Sequence, residues 1–198
     1  MVNSESFKVY VLLFENFTAL DVFGPVEVLS GTGRADIHYV SADGGTVTNK
    51  QGIRIDTEPV DSIEEGGVLL VPGGMGTRSI INDGGFIEKL SEAGRKSENV
   101  LCVCTGSALA ARAGLLDGKK ATSNKKAFEW ATSGHDRTKW NREARWVRDG
   151  DTYTSAGVSA GIDMALGFVT DLLGAEKADE IASRIEYHRN MDADHDTF

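Results

Sequence analysis

Two hydrophobic rhythms alternate along this chain. Short apolar runs rich in β-branched residues mark buried strands, and between them apolar positions recur every three to four residues, as in helices packed on a core. Lys8 to Phe14 reads as a first strand, with Thr18 as the N-cap of a helix over Ala19 to Leu29 that Gly24-Pro25 interrupts. Asp36 to Ala42 is a second strand. Thr46 to Val60 holds short extended pieces broken by Gly52 and Pro59, and Gly67 to Val71 is a strand running into Pro72-Gly73-Gly74-Met75-Gly76. A helix from Phe86 to Ser97 precedes the strand that ends at Cys104, and a further helix covers Ser107 to Leu116.

Beyond Gly118, Lys120 to Ser123 is extended and Lys125 to Thr132 helical. Ala144 to Arg148 and Thr152 to Ser155 flank Asp149-Gly150-Asp151, a hairpin signal. Ser159 to Leu173 and Ala175 to Tyr187 close the chain as two helices with Gly174 between them. Strands alternating with helices, without linker or repeat, predict one α/β domain over residues 1–198. Its sheet is mostly parallel and covered by helices on both faces. Residues 1–6 and 190–198 are expected to be frayed ends.

The 198 residues are enough for one domain with a real core. A formal charge of −9 argues against nucleic acid, which needs a basic stripe. The basic cluster Lys119, Lys120, Lys125 and Lys126 reads as a solvated face. No apolar run is long enough to span a bilayer, and the first six residues lack the pattern of a signal peptide. His38, His135, His188 and His195 have no ligand spacing, so no metal is expected. Cys102 and Cys104 lie two apart on one strand and form no disulfide framework, which fits a cytoplasmic protein.

The most informative stretch is Val100 to Ala110. A β-branched run stops at Cys104, and Thr105-Gly106-Ser107 opens a helix directly. Such a turn holds the sulfur at the top of a sheet beside the first unpaired N–H groups of the helix, a field that favours thiolate. It is the cysteine version of the sharp nucleophile turn of serine hydrolases. The plain alternative is a buried cysteine that happens to end a strand.

Ligands of open α/β sheets sit beyond the carboxyl ends of the strands. Asp21, Gly73-Gly74 and Cys104 all fall at such ends. Gly73 and Gly74 are expected to turn backbone N–H groups toward a substrate, an oxyanion-type donor set completed by the N–H of Thr105. Asp21 lies in the apolar setting Leu20-Asp21-Val22-Phe23-Gly24-Pro25, where desolvation raises its pKa and suits it to proton transfer beside a sulfur. Its alternative role is a first-turn aspartate stabilised by the helix dipole. Glu27 lies six residues on, about 240° around the helix, and cannot share that site.

These residues resemble the ThiJ/PfpI superfamily. The likeness rests on Leu-Asp-x-x-Gly-Pro-x-Glu-Val-Leu around Asp21, on Pro72-Gly73-Gly74, and on Cys104-Thr105-Gly106-Ser107 followed by Ala113 to Thr122. Gly157-Val158-Ser159-Ala160-Gly161-Ile162-Asp163 adds to it. It covers Lys8 to about Tyr187 and is nearest to isocyanide hydratase-like members, which carry aspartate at the position of Asp21. The resemblance implies a flavodoxin-like three-layer sandwich, a homodimer and a cofactor-free hydratase acting on a small-molecule substrate. Cys104 would be the nucleophile, Asp21 the proton donor or water-orienting group, and Gly73, Gly74 and Thr105 the anion donors. The Thr105 hydroxyl would bond the substrate or Asp21.

One position departs. Many relatives carry Ala-Thr-Thr-His where this chain has Ala121-Thr122-Ser123-Asn124. Asn124 cannot act as a general base, which argues against Cys-His peptidase and histidine-assisted glyoxalase chemistry more than against a hydratase. Some relatives add a helix-turn-helix regulator domain, and an end at Phe198 leaves no room for one. The competing reading is a stress-response protein whose thiolate senses oxidants.

Overall fold

A computed structural model describes residues 6–198. The expected fraying of residues 1–5 lies outside the described residues. In chain order the elements are β1 (Phe7–Leu12), α1 (Ala19–Ser30), β2 (Ala35–Ser41), β3 (Gly45–Thr48), β4 (Arg54–Pro59), β5 (Val68–Val71), α2 (Thr77–Ile80) and α3 (Gly84–Lys96). There follow β6 (Asn99–Val103), α4 (Gly106–Arg112), β7 (Lys120–Ala121), α5 (Phe128–Thr132), β8 (Lys139–Trp140), β9 (Trp146–Asp149), β10 (Thr152–Ser155), α6 (Ala160–Leu173) and α7 (Ala175–Arg184).

Eight strands form one sheet in the order β3-β4-β2-β1-β5-β6-β10-β9. The inner pairs are all parallel, and only β3 and β9 run antiparallel to their neighbours at the two edges. The central strands are apolar throughout because helices cover both faces. All four residues of β5 and Val100 to Val103 of β6 are buried. Helix α1 packs on α6, and α6 on α7, while α3 packs on α4 in a separate group. The expected doubly covered, mostly parallel α/β fold is what forms.

Strand order reverses at β1, whose neighbours are β2 on one side and β5 on the other. That switch point is where α/β sheets bind ligands. The register pairs Val71 of β5 with Cys102 of β6, which brings the following residues, Gly73 and Cys104, level at the sheet's carboxyl edge.

Three local expectations change. Gly24-Pro25 does not interrupt α1, which runs unbroken to Ser30. A Cβ on Gly24 would come 2.9 Å from Cγ1 of Ile162, so close packing on α6 outweighs the propensity of the pair. The helix after Cys104 stops at Arg112, and Gly114 continues in the left-handed region at φ 78°. Helix α5 starts only at Phe128, because Asn124 Oδ1 instead accepts the Ala127 N–H at 2.9 Å in a tight turn. The short α2 and β8 had no periodic signal.

The tail is the largest correction. Residues 190–198 are docked, not frayed. Ala193 O accepts the N–H groups of Arg145 and Trp146 at 2.8 and 3.2 Å, and the Asp196 N–H donates to Glu143 O at 2.7 Å. Asp196 is buried, and its Oδ1 lies 3.1 Å from Nη1 of Arg145. The same guanidinium reaches Asp163 Oδ2 through Nη2 at 2.7 Å, and Asp163 Oδ1 accepts the Asn190 N–H at 2.9 Å. Composition alone reads an acidic end as solvated, but here the buried Arg145 needs its carboxylates.

Candidate active site

Strand β6 delivers Cys104 to the carboxyl edge, and α4 begins two residues later. Between them Cys104 adopts φ 57°, one of three non-glycine residues in the left-handed region among those described. That conformation costs roughly 1–3 kcal/mol and persists only where its surroundings impose it. Here they do. The Cys104 N–H donates to Ser155 O at 3.2 Å, while its carbonyl accepts the hydroxyls of Ser107 and Ser123 at 2.9 and 3.1 Å. The sharp turn read from the sequence is present.

Asp21 enters from the first turn of α1 and is fully buried. Its Oδ2 accepts the Gly73 N–H at 3.0 Å, its Oδ1 has no hydrogen-bond partner among the described residues, and the carboxyl lies within reach of the Cys104 thiol. Gly73 fits where no side chain could. A Cβ there would stand 2.6 Å from Thr105 N, 2.7 Å from Thr105 Oγ1 and 2.9 Å from Asp21 Oδ2. Three sequence signals separated by more than eighty residues therefore meet at one point.

The donor set is not the expected one. The Gly73 N–H is committed to Asp21, and the Gly74 N–H donates to Thr105 Oγ1 at 3.1 Å. Neither is free for an oxyanion, because a buried N–H takes the acceptor its own loop supplies. Thr105, whose hydroxyl also contacts Gly74 and Thr77, and the Asn124 side chain are the neighbours that pull the Cys104 pKa down. Asn124 was singled out only as a departure from the family histidine, yet it reaches the sulfur. Its Oδ1 is occupied by the Ala127 N–H, which leaves the amide nitrogen as its donor for the thiol's charged form.

Burial pushes Asp21 up to about 7, against the opposing pull of the Gly73 and Cys104 hydrogen bonds. Burial first, and then the charge of Asp21, push Cys104 up to about 12, against Thr105 and Asn124. The expected thiolate-favouring field is thus outweighed. Helix α4 is only seven residues long, and the sulfur sits in a dry pocket beside a carboxyl. The two groups titrate as a pair. They lose their first proton near neutrality and keep the second between them well into alkaline pH. Cys102 is also held at about 12, by burial, and it faces no such constellation. Both cysteines are free.

A cavity of about 270 Å³ has Asn124, a neighbour of the thiol, in its wall, while Cys104 and Asp21 do not line it. Leu20, Gly157, Val158 and Ser159 also line it. Phe23 and Met75 are not part of its lining and stand exposed, and Trp130 belongs to a separate groove with Arg112 and His135. The basic cluster is broken up. Lys119 pairs with Asp151, and Lys125 donates to Thr122 Oγ1 and Ala144 O. No group of metal-ligating side chains occurs among the described residues, and none of their helices is long and apolar enough to cross a membrane.

Comparison with known proteins matches residues 7–171 to the DJ-1/PfpI family. The chain belongs to the DJ-1/PfpI family. It is 34% identical over 185 residues to the isonitrile hydratase of Pseudomonas putida, covering 89% of this chain and 76% of that protein. It is 27% identical to the HTH-type transcriptional regulator CdhR of Pseudomonas aeruginosa, covering 88% of this chain but only 53% of the regulator. Among solved structures, a ThiJ/PfpI family protein from Pseudomonas syringae superposes with a TM-score of 0.85 at 30% identity, over 96% of this chain and 78% of that one. Drosophila melanogaster DJ-1beta superposes with a TM-score of 0.76 at 20% identity, over 92% and 99%, a likeness of fold.

Proposed function

We propose that this DJ-1/PfpI protein hydrates small isocyanides to N-substituted formamides without a cofactor. The observation that carries the reading is the pair formed by Cys104, held at φ 57° on its turn, and the buried carboxyl of Asp21 beside it. The 34% identity to an isonitrile hydratase supports it.

In the one-proton state of the pair, Cys104 Sγ attacks the terminal carbon of R–NC. The thiol proton passes through Asp21 to that same carbon, giving a thioimidate, R–N=CH–S–Cys. The Asp21 carboxylate then takes a proton from an attacking water. The C–S bond breaks as that proton reaches nitrogen and the added hydroxyl gives its own proton to the sulfur, which releases R–NH–CHO and returns the thiol. The oxygen and one hydrogen of the water end in the formamide, and its other hydrogen replaces the thiol proton that became the formyl hydrogen. Thr105 and Asn124 donate to the sulfur whenever it carries charge, and donors aimed where charge develops are worth several kcal/mol in a dry site. No step requires the histidine that Asn124 replaces.

The oxidant-sensing alternative needs an exposed, low-pKa thiolate. A thiol that is 6% exposed and held at about 12 does not favour it. Leu20 and Phe23, three apart on α1, are both exposed. That apolar surface supports the homodimer, and two free, buried cysteines fit the cytoplasm. The test is a panel of isocyanides, methylglyoxal and peptide amides. Formamide release with the isocyanides alone is expected, and turnover of methylglyoxal or amides without formamide would overturn the assignment.

A further inference from the structure

The docked tail and the cavity beside Asn124 meet. Asn124, Gly157 and Val158 share the wall of this cavity with Asp196 and Phe198 of the tail and with Leu20 of α1. We propose that tail residues 193–198 form the outer wall of a pocket for the apolar substituent R of the substrate, and that Asp196 and Phe198 determine which substituents fit. This rests on the hydratase reading, whose reaction leaves R untouched and so requires only that R be accommodated.

Three observations support it. The first is that the tail is built into the fold. Ala193 O takes two backbone N–H groups at the start of β9, and Asp196 is buried against Arg145. The second is charge. Arg145 lines the cavity, and the tail's Asp196 together with Asp163 neutralises it. Lys125 in the same wall is spent on Thr122 Oγ1 and Ala144 O. Beside those paired cations the wall holds the exposed Lys126 and the apolar side chains of Leu20, Val158 and Phe198. The third is size. About 270 Å³ holds roughly nine waters at ~30 Å³ each, below the ~300–1,000 Å³ of sites for drug-sized ligands. The pocket therefore suits a short alkyl or single-ring substituent.

The wall predicts a profile that does not depend on turnover. N-alkyl iodoacetamides of increasing chain length report the pocket through the second-order rate of Cys104 alkylation, followed by intact mass. In the wild-type protein each added methylene should raise the rate by up to roughly fourfold, the value of burying one CH₂, until the pocket is full and the rate falls. In Phe198→Ala, whose side chain is mostly exposed and not needed for folding, the gain per methylene should shrink and the fall should move to longer chains. Asp196→Asn, which loosens the tail, should change the profile in the same direction. Identical length profiles in all three proteins would overturn the proposal, as would a wild-type rate independent of chain length. If the hydratase reading fails while the profile holds, length-dependent alkylation will be seen without any formamide.

Discussion

Replacing Asp21 by asparagine should make the protein more stable and nearly inactive at the same time. The carboxyl is fully buried, and its pKa rises from 3.8 to about 7 on folding, chiefly through desolvation. A carboxyl whose folded pKa lies above its unfolded value binds its proton more tightly in the native state. Its contribution to stability is fully present below about pH 4 and is lost as pH rises through about 7. At pH 8 the native state therefore carries a destabilisation of about three pKa units, each worth 1.36 kcal/mol, an upper bound near 4 kcal/mol. Asparagine preserves an oxygen for the Gly73 N–H and removes the charge. If even half of the bound is realised, Tm at pH 8 should rise by about 4–8 °C for a chain of this size. The advantage should shrink steadily toward pH 4, where both proteins hold a neutral group. Turnover should fall by ~10²–10⁴, the contribution of a positioned acid or base. Thermal melts at pH 4, 6 and 8, with kcat on an isocyanide, decide it. A lower Tm at pH 8 with normal kcat would make Asp21 a structural residue and refute the argument.

Other consequences are equally direct. kcat/KM of the wild type should rise with pH through about 7, as the Asp21–Cys104 pair loses its first proton, and a pH-independent rate between 5.5 and 8.5 would remove the pair from the mechanism. Alkylation by iodoacetamide should select Cys104 over Cys102 but should still be climbing at pH 9.5. Asp21→Asn, which removes the neighbouring charge, should shift that climb to lower pH. Asn124→Ala deletes one donor to the sulfur and should lower kcat by about 10- to 100-fold, the worth of a hydrogen bond to a charged group, and should also lower Tm by roughly 2–4 °C through loss of the Ala127 turn bond.

The fold could be read in the sequence because its decisive elements are buried on both sides. Runs such as Val68–Val71 and Val100–Val103 have one stable home, the middle of a parallel sheet. The turn at Cys104 was equally visible, since a β-branched run that gives way to Thr-Gly-Ser leaves no room for a loop. The hydrogen bonds beyond it were not. Which acceptor the Gly73 and Gly74 N–H groups choose depends on where Asp21 and Thr105 arrive from other strands, and that is a fact of tertiary structure. The pKa of Cys104 is hidden from the sequence for a related reason. Sequence shows the helix that follows a cysteine but not how completely water is excluded or how near a carboxyl stands. The docking of tail residues 190–198 is not legible in the sequence because Arg145, which binds them, lies some fifty residues away.

The central claim is that Cys104 adds to the terminal carbon of the isocyanide. Rapid mixing of the protein with a short-chain isocyanide, acid quench and mass analysis of the Cys104 peptide tests it without intermediaries. The account predicts an adduct heavier by the whole mass of the isocyanide. It should form before N-formamide appears, decay as formamide accumulates, and be absent together with turnover in Cys104→Ser. Formamide released by Cys104→Ser at the wild-type rate, or by the wild type with no adduct at any time, would contradict it.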